Sequence, residues 1–257
     1  MARAGNGATG CCTIALGQNL ELLDKVKDSD TRVWYAWAAI ENGWSRNVLA
    51  VQINTGLHER QGRAITNFQR TLPPLHSDLA AQLLKDAYQF DFLSMAEDVY
   101  ERHLEAALTE RIQKLLLEMG KGFAFIGRQY RLNVGDQDFF VDLLFYHRKL
   151  RCLVAVDLKM DAFKPAHVGQ MSFYLTALDE LEKHQDDNPS IGLILCRDRN
   201  RVVVEYALRS AHKPIGVAKY EINVVEALPP QLLDALPTPD EIGTAVGDAL
   251  NGPDGDA

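Results

Sequence analysis

A chain of 257 residues, 47% hydrophobic and 24% charged, is long enough for one or two domains with a real core, and its composition excludes a disordered or fibrous protein. The formal net charge of −8 argues against a uniformly basic nucleic-acid binder, but the part after Pro237 holds five acids and no Lys or Arg, leaving −3 on the rest. No apolar run reaches the length of a membrane span, Met1–Cys12 is too poor in apolar residues for a signal peptide, and Cys11, Cys12, Cys152 and Cys196 lack metal-ligand spacing. No membrane association and a cytoplasmic location are therefore expected.

Residues 1–12 are expected to be irregular, followed by a short helix over Leu20–Val26. Thr31–Asn42 shows helical spacing at Val33, Trp37 and Ile40. Gly43 breaks that helix, and Ser45 can cap the next one, Arg46–Thr55, by accepting an orphan backbone N–H. Helix, glycine turn, helix is the outline of a DNA-binding helix-turn-helix, although a plain helical hairpin is the favoured reading. In either case Arg46, Arg60, Arg63 and Arg70 would enrich a basic face. Trp34, Trp37 and Trp44 offer a third use for the region, as a surface for homo-oligomerisation.

Pro73-Pro74 ends this run, and the stretch to Phe92 reads as a linker with a short amphipathic piece. A long helix over about 96–119 follows, with Leu104, Leu108, Ile112, Leu115 and Met119 on its apolar arc. Glu101 and Glu105 fall in or beside that arc, whereas Glu110 is opposite. Next come a strand over Phe123–Leu132 and two apolar runs, Asp138–His147 and Leu150–Met160, joined through Arg148-Lys149 as a hairpin. Pro165 suits the first turn of a helix running to about Lys183, with a core stripe of Val168, Met171, Leu175 and Leu178. Gln170 and Tyr174 share another edge of that helix. Ser190–Cys196 reads as a buried strand, Val202–Ala211 as a helix and Ile215–Ile222 as a last strand. Cys152 and Cys196 act as small apolar residues in these strands, and the Gly/Asp-rich end should be disordered.

The hairpin carries the chemistry. If its turn is centred near Lys149 and Leu150, Asp142 lies opposite Asp157, and Lys159 shares a face with Asp157. Two carboxylates and an ammonium then meet in an apolar setting, where charges must pair or bind a metal. Carboxylate oxygens suit Mg2+ or Mn2+. An ordinary ion pair between Lys159 and either aspartate explains the triplet equally well, because D-x-K is frequent by chance. Basic strips lie near it: Lys121–Arg151, which includes Arg128 and Arg148, carries six basic residues against three acids, and Arg197–Lys213 carries five against two.

Longer stretches decide between these readings. Gly122–Leu132, Asp138–Leu153, Asp157–Lys159, Phe163–Leu175, Asn188–Cys196 and Pro214–Tyr220, with Trp44–Asn47 and Arg63–Leu72 upstream, resemble the YhcG-like nucleases of the PD-(D/E)xK superfamily. The chain departs from the family in two ways. Asp157 stands where members usually carry Glu. The family's helical region also starts earlier, so the N-terminal part is expected to be an abbreviated form of it. The resemblance implies an α/β restriction-endonuclease-like core, a small mixed sheet flanked by helices, over residues 89–236. It would follow a helical N-terminal region at 1–88 and precede an acidic tail at 237–257. It also implies a metal-directed acid in the helix before the sheet, for which Glu105 in its Leu-Glu-x-Ala-Leu setting is the choice, and a glutamine after the D-x-K motif, Gln170.

The expectation is thus a metal-dependent nuclease that hydrolyses phosphodiester bonds, with DNA as partner. Glu105, Asp142 and Asp157 would hold Mg2+ or Mn2+; Lys159 and Gln170 would complete the catalytic set; Arg46, Arg60, Arg63, Arg128, Arg148 and Tyr174 would contact nucleic acid. The competing expectation is a catalytically inactive nucleic-acid-binding or assembly protein that keeps the fold.

Overall fold

The computed structural model describes residues 14–90 and 107–222. Its sheet grows outward from the expected hairpin. The two central antiparallel strands, Gln137–His147 and Cys152–Ala162, pair with His147 opposite Cys152 and Leu143 opposite Val156. That is the register a turn centred between Lys149 and Leu150 dictates. Phe123–Val134 adds to the outer edge through Gly135-Asp136, both at positive φ, as a two-residue type I′ hairpin requires. Helical crossovers through Ala166–Leu181 and Arg201–Arg209 return the chain in parallel to Ile191–Asp198 and then Ile215–Glu221.

In chain order the strands are β1 (Ile65–Thr66), β2 (Tyr88–Gln89), β3 (Phe123–Val134), β4 (Gln137–His147), β5 (Cys152–Ala162), β6 (Ile191–Asp198) and β7 (Ile215–Glu221). The helices are α1 (Leu16–Lys25), α2 (Ser29–Asn42), α3 (Arg46–Asn54), α4 (Leu57–Arg60), α5 (Phe68–Thr71), α6 (Pro74–Leu83), α7 (Ile112–Met119), α8 (Ala166–Leu181) and α9 (Arg201–Arg209). The sheet order is β1-β7-β6-β5-β4-β3, with β2 also on β7. The mixed sheet flanked by helices is the expected α/β core. None of the described helices is long and apolar enough to cross a membrane.

Each face of the sheet has its own core. On one, α8 buries its expected stripe, Val168, Met171, Leu175 and Leu178, against Ala155, Ile194 and Val217. Gly192 permits this approach: a Cβ there would lie 2.5 Å from Met171 Cγ. On the other, Leu115 and Met119 of α7 join Phe145, Val156 and Leu193. Each large side chain buried contributes about 1.5–3 kcal/mol. A one-residue slip of β4 or β5 would send the side chains of each core to the opposite one, where they do not match the packing.

Several expectations change. Val33 and Trp37 are 56% and 66% exposed, and the core of α1–α4 is built instead on Tyr35 and Ala39 with Leu22, Leu49 and Leu57. Tyr35 wins the inward position because its hydroxyl donates to the Gln52 carbonyl at 3.2 Å and accepts from the His58 N–H at 3.2 Å. Ser45 caps α3 as expected, accepting from Val48 N–H. The stretch from Pro73 onward is no linker. α6 starts on Pro74, β1 and β2 both extend β7, and Phe68, Leu72, Leu84, Tyr88 and Phe90 lie inside the sheet's core cluster. The packing seam between the two clusters falls between Leu57 and Ala64. Of the long helix, only its last part is described. Leu108, Leu115 and Met119 are buried as expected, but Arg111 leaves helical geometry ahead of α7. Glu105, residues 1–12 and the tail after 237 lie outside the described residues.

A buried ionic cluster crosses the seam. Glu118 on α7 accepts from Arg60 at 2.7 Å and from the Gln89 N–H at 3.0 Å, and its Oε2 is 3.4 Å from Lys85 Nζ. All three side chains are under 10% exposed. Burial pulls Lys85 down to about 8, opposed by Glu118. Glu118→Gln leaves two buried cations short of a counter-charge, and urea unfolding of the variant should show a loss of about 3–5 kcal/mol. A loss below about 1 kcal/mol would mean that water reaches the cluster.

Candidate active site

The ladder between β4 and β5 ends at Leu143 and Val156. The next pair in that register is Asp142 and Asp157, where the strands separate. Asp142 Oδ2 accepts the Leu158 N–H at 2.8 Å, taking over a backbone donor that β4 no longer serves. This fixes one carboxylate at the mouth of the split. Asp157 and Lys159 continue the strand face that holds Leu153 and Ala155, which is the face covered by α8. Lys159 Nζ lies 3.1 Å from Asp157 Oδ1. The expected triplet is therefore one cluster.

Its electrostatics are uneven. Asp157 is 2% exposed, and its Oδ2 finds no hydrogen-bond donor among the described residues. Burial, with the neighbouring Asp142 carboxylate adding to it, pushes Asp157 up to about 7, against the pull of Lys159. An acceptor without a donor beside a second carboxylate is a place that a hard cation fits. Among the described residues no group of three or more His, Cys, Asp or Glu side chains forms a metal cluster. The two aspartates would therefore be joined by oxygens from elsewhere, and Glu105, the acid expected to be third, lies outside the described residues.

α8 supplies the second wall. Gln170 Nε2 donates to Tyr174 Oη at 2.7 Å, and Tyr174 is 6% exposed. Burial raises the Tyr174 phenol, with further upward contributions from Asp157 and Asp142, which places the ring within reach of their field. Beneath the cluster, Tyr220 donates to the Lys159 carbonyl at 3.2 Å.

One member was not anticipated. β3 and β4 shift register by one residue between Phe125 and Gly127. Gln129 falls between the pairs Arg128–Leu143 and Tyr130–Val141, directly opposite Asp142. Its amide donates to Asp142 Oδ1 at 3.3 Å, and its backbone is at φ 44. Without the bulge, Arg128 would occupy that position. The only sequence signal was the glycine at 127, which marks an irregular strand without fixing its register.

The basic residues scatter. Arg60 is 7% exposed and donates to the carbonyls of Thr55 and Ala87 besides Glu118, so it is spent in the interior and not on a basic face. Arg148 sits in the β4–β5 turn, roughly 20 Å along the strand from Asp142 at 3.3 Å per residue. That end of the sheet meets α2, where Lys149 pairs with Glu41. Arg46 pairs with Glu21 at 2.7 Å. Arg63 and Arg128 are exposed.

A mixed sheet whose central hairpin splits at two aspartates, with a lysine two residues on, defines a core of the restriction-endonuclease-like class. The family model of the YhcG PDDEXK nuclease domain matches residues 81–237, and the chain belongs to that family. It is 36% identical over 202 residues to the Escherichia coli (strain K12) protein named "Putative nuclease YhcG", covering 77% of this chain and 54% of the relative, and so spans about half the length of the curated protein it matches. Among solved structures, a repair endonuclease from Pyrococcus abyssi is 18% identical at a TM-score of 0.32, covering 50% of each chain. An EndoMS–dsDNA complex is 14% identical at 0.33, covering 56% of this chain and 52% of that one.

The buried carboxylate gives a pH test. A folded-state value near 7 against an unfolded value of 3.8 means that the folded protein holds the proton more tightly, so Asp157 costs stability increasingly as pH rises from about 4 to 7. In EDTA, Asp157→Asn should be more stable than the wild type at pH 8, on the order of 2 kcal/mol, and the difference should vanish near pH 4. Parallel melting curves at the two pH values decide it; a gap independent of pH would mean that Asp157 is not strained by its charge.

Proposed function

We propose that this chain is a nuclease that hydrolyses phosphodiester bonds in DNA with Mg2+ or Mn2+, in the cytoplasm. The observation that carries the reading is the Asp142–Asp157–Lys159 cluster, with an orphaned carboxylate oxygen at its centre. Family membership supports it.

In this reading Asp142 and Asp157 hold the cation, together with Glu105. Bound there, it would polarise the scissile phosphate and lower the pKa of an attacking water. Gln129 and the Leu158 N–H keep Asp142 from rotating away. Lys159, held by Asp157, presents its ammonium to the charge that develops on the phosphoryl oxygens. Tyr174 holds Gln170 at the rim, where its amide can orient water or a phosphate oxygen. Exposed Arg46, Arg63 and Arg128 would add backbone contacts that position the substrate without reading its sequence. Burial removes Arg60 from that set, and the distant turn removes Arg148 from the immediate neighbourhood of the cluster.

Cleavage of supercoiled, linear, branched and single-stranded DNA with Mg2+, Mn2+ or EDTA tests the whole reading. Activity should require the cation. Metal should also raise the melting temperature of the wild type, and Asp142→Asn combined with Asp157→Asn should erase that shift. A full shift in the double variant would place the cation elsewhere. Absence of cleavage on every substrate, with DNA binding intact, would favour an inactive binding protein.

Lys159→Ala should lower single-turnover cleavage by about 10²–10³-fold, the loss typical of one transition-state donor, while leaving metal affinity unchanged or higher. Near-wild-type cleavage at saturating Mn2+ would remove Lys159 from the catalytic set.

A further inference from the structure

A second basic site lies away from the carboxylates, and only the fold assembles it. β1 pairs antiparallel with β7, which brings the 62–70 segment against α9. Between them, with α6 as a third wall, is a cavity of about 750 Å³. Arg63, Arg70, Arg199, Arg201 and Arg209 line it. Three carboxylates, Asp78, Asp86 and Glu205, also line it, so cations exceed anions by two. The five arginines come from segments more than a hundred residues apart, on two basic stretches that the sequence displays separately.

The walls are fixed. Asn67 Nδ2 donates to the carbonyls of Lys213 at 2.9 Å and Ala211 at 3.3 Å, and its Oδ1 accepts the Ile215 N–H at 2.8 Å. Arg70 donates to the Leu208 and Arg209 carbonyls at the end of α9. Arg199 is ion-paired with Asp86, whose other oxygen accepts the Lys219 N–H.

Two polar atoms of the lining residues are left over. Arg199 Nε and Ser77 Oγ are shut off from solvent and have no hydrogen-bond partner among the described residues. The Arg199 side chain is only 10% exposed. Both atoms are walled in behind the cavity surface, so it is the exposed guanidinium forks of Arg63, Arg201 and Arg209 that face a ligand, and such forks are matched best by an oxyanion with several acceptor oxygens. The place of Arg199 in the sheet adds direction. Lys159 pairs with Cys196 across β5 and β6, and Arg199 follows three residues on, at the same end of the sheet. That is roughly 10 Å along the strand direction, and β1 lies three strands across from β5, roughly 14 Å to the side at about 4.8 Å per strand.

We propose that this cavity is a phosphate-binding subsite that holds a backbone phosphate of the nucleic acid a few nucleotides from the bond at the Asp142–Asp157 cluster. The proposal rests on the nuclease reading for its ligand, while the cavity and its arginines stand on the structure. A subsite of this kind sets the register of the strand and adds affinity without base selectivity.

The test uses the full chain and a short labelled DNA duplex, titrated in EDTA over a range of salt. Arg63→Gln, Arg201→Gln and Arg209→Gln are combined, because all three side chains are exposed, and the contacts of Arg201 with Glu205 and of Arg209 with the Tyr206 ring stay within α9. Lys27→Gln, Arg131→Gln and Lys183→Gln together form a control with the same change in charge. The cavity variant should bind on the order of tenfold more weakly at low salt, with a log–log salt slope reduced by about 2–3, while the control keeps most of the wild-type slope. An unchanged slope in the cavity variant, or an equal loss in the control, overturns the subsite. So does a cavity that raises the melting temperature with inorganic phosphate while duplex affinity ignores its arginines, because the ligand would then be a free phosphate compound. Cleavage by the wild type with Mg2+ or Mn2+ is measured separately. A cavity-dependent slope without cleavage sinks the nuclease reading alone; cleavage with an indifferent cavity variant sinks the subsite alone.

Discussion

A carboxylate held out of water is the constraint around which this core is organised. Asp157 lies in the middle of the sheet, between a strand pair that ends just before it and a parallel neighbour that continues past it. Its charge is opposed by burial and by Asp142, and only Lys159 pulls the other way. A position like this is unfavourable for folding and useful for binding a cation, since the cost of burying the charge is offset when positive charge arrives. The surrounding bonds serve that end. The Leu158 N–H and the Gln129 amide each hold one oxygen of Asp142, so the two carboxylates cannot move apart to relieve their repulsion.

The rest of the molecule makes that arrangement rigid. α8 is pressed onto the sheet where Gly192 leaves no side chain, and it carries Tyr174, within reach of the aspartates' field, with Gln170 bonded to it. On the other face, the segment from Phe68 to Phe90 completes the core from the N-terminal side of the chain. The buried Arg60–Glu118–Lys85 cluster then fastens the α1–α4 layer to it. Such a cluster is expensive in desolvation and contributes geometry more than stability. Its presence ties the helical layer to α7.

Much of this was legible because it depends on short range or on strict periodicity. The polar Arg148-Lys149 link between two strand-like runs fixed the hairpin centre, and the period of two then put Asp142 across from Asp157 and Lys159 beside it. The stripe Val168, Met171, Leu175 and Leu178 announced the buried face of α8 in the same way. Periodicity misled at α2, where Val33, Trp37 and Ile40 made as good a stripe as the true one. A hydroxyl that found partners on α3 and α4 turned Tyr35 inward instead.

What the sequence by itself determined is therefore the mixed sheet, its central register, the cluster of Asp142, Asp157 and Lys159, and the family. What only the tertiary structure decided is who joins them from a distance. β1 and β2 are two residues each, too short to show a period, and exist because β7 offers a free edge. Gln129 replaces Arg128 opposite Asp142 through a bulge that shifts register by one residue. Arg60 is consumed by Glu118, fifty-eight positions away, and Arg63 is brought to Arg199 by the pairing of β1 with β7. Local propensity governs which segments become strands and helices; charge partners and sheet edges are settled by contacts between segments far apart in the chain, which composition and spacing do not encode.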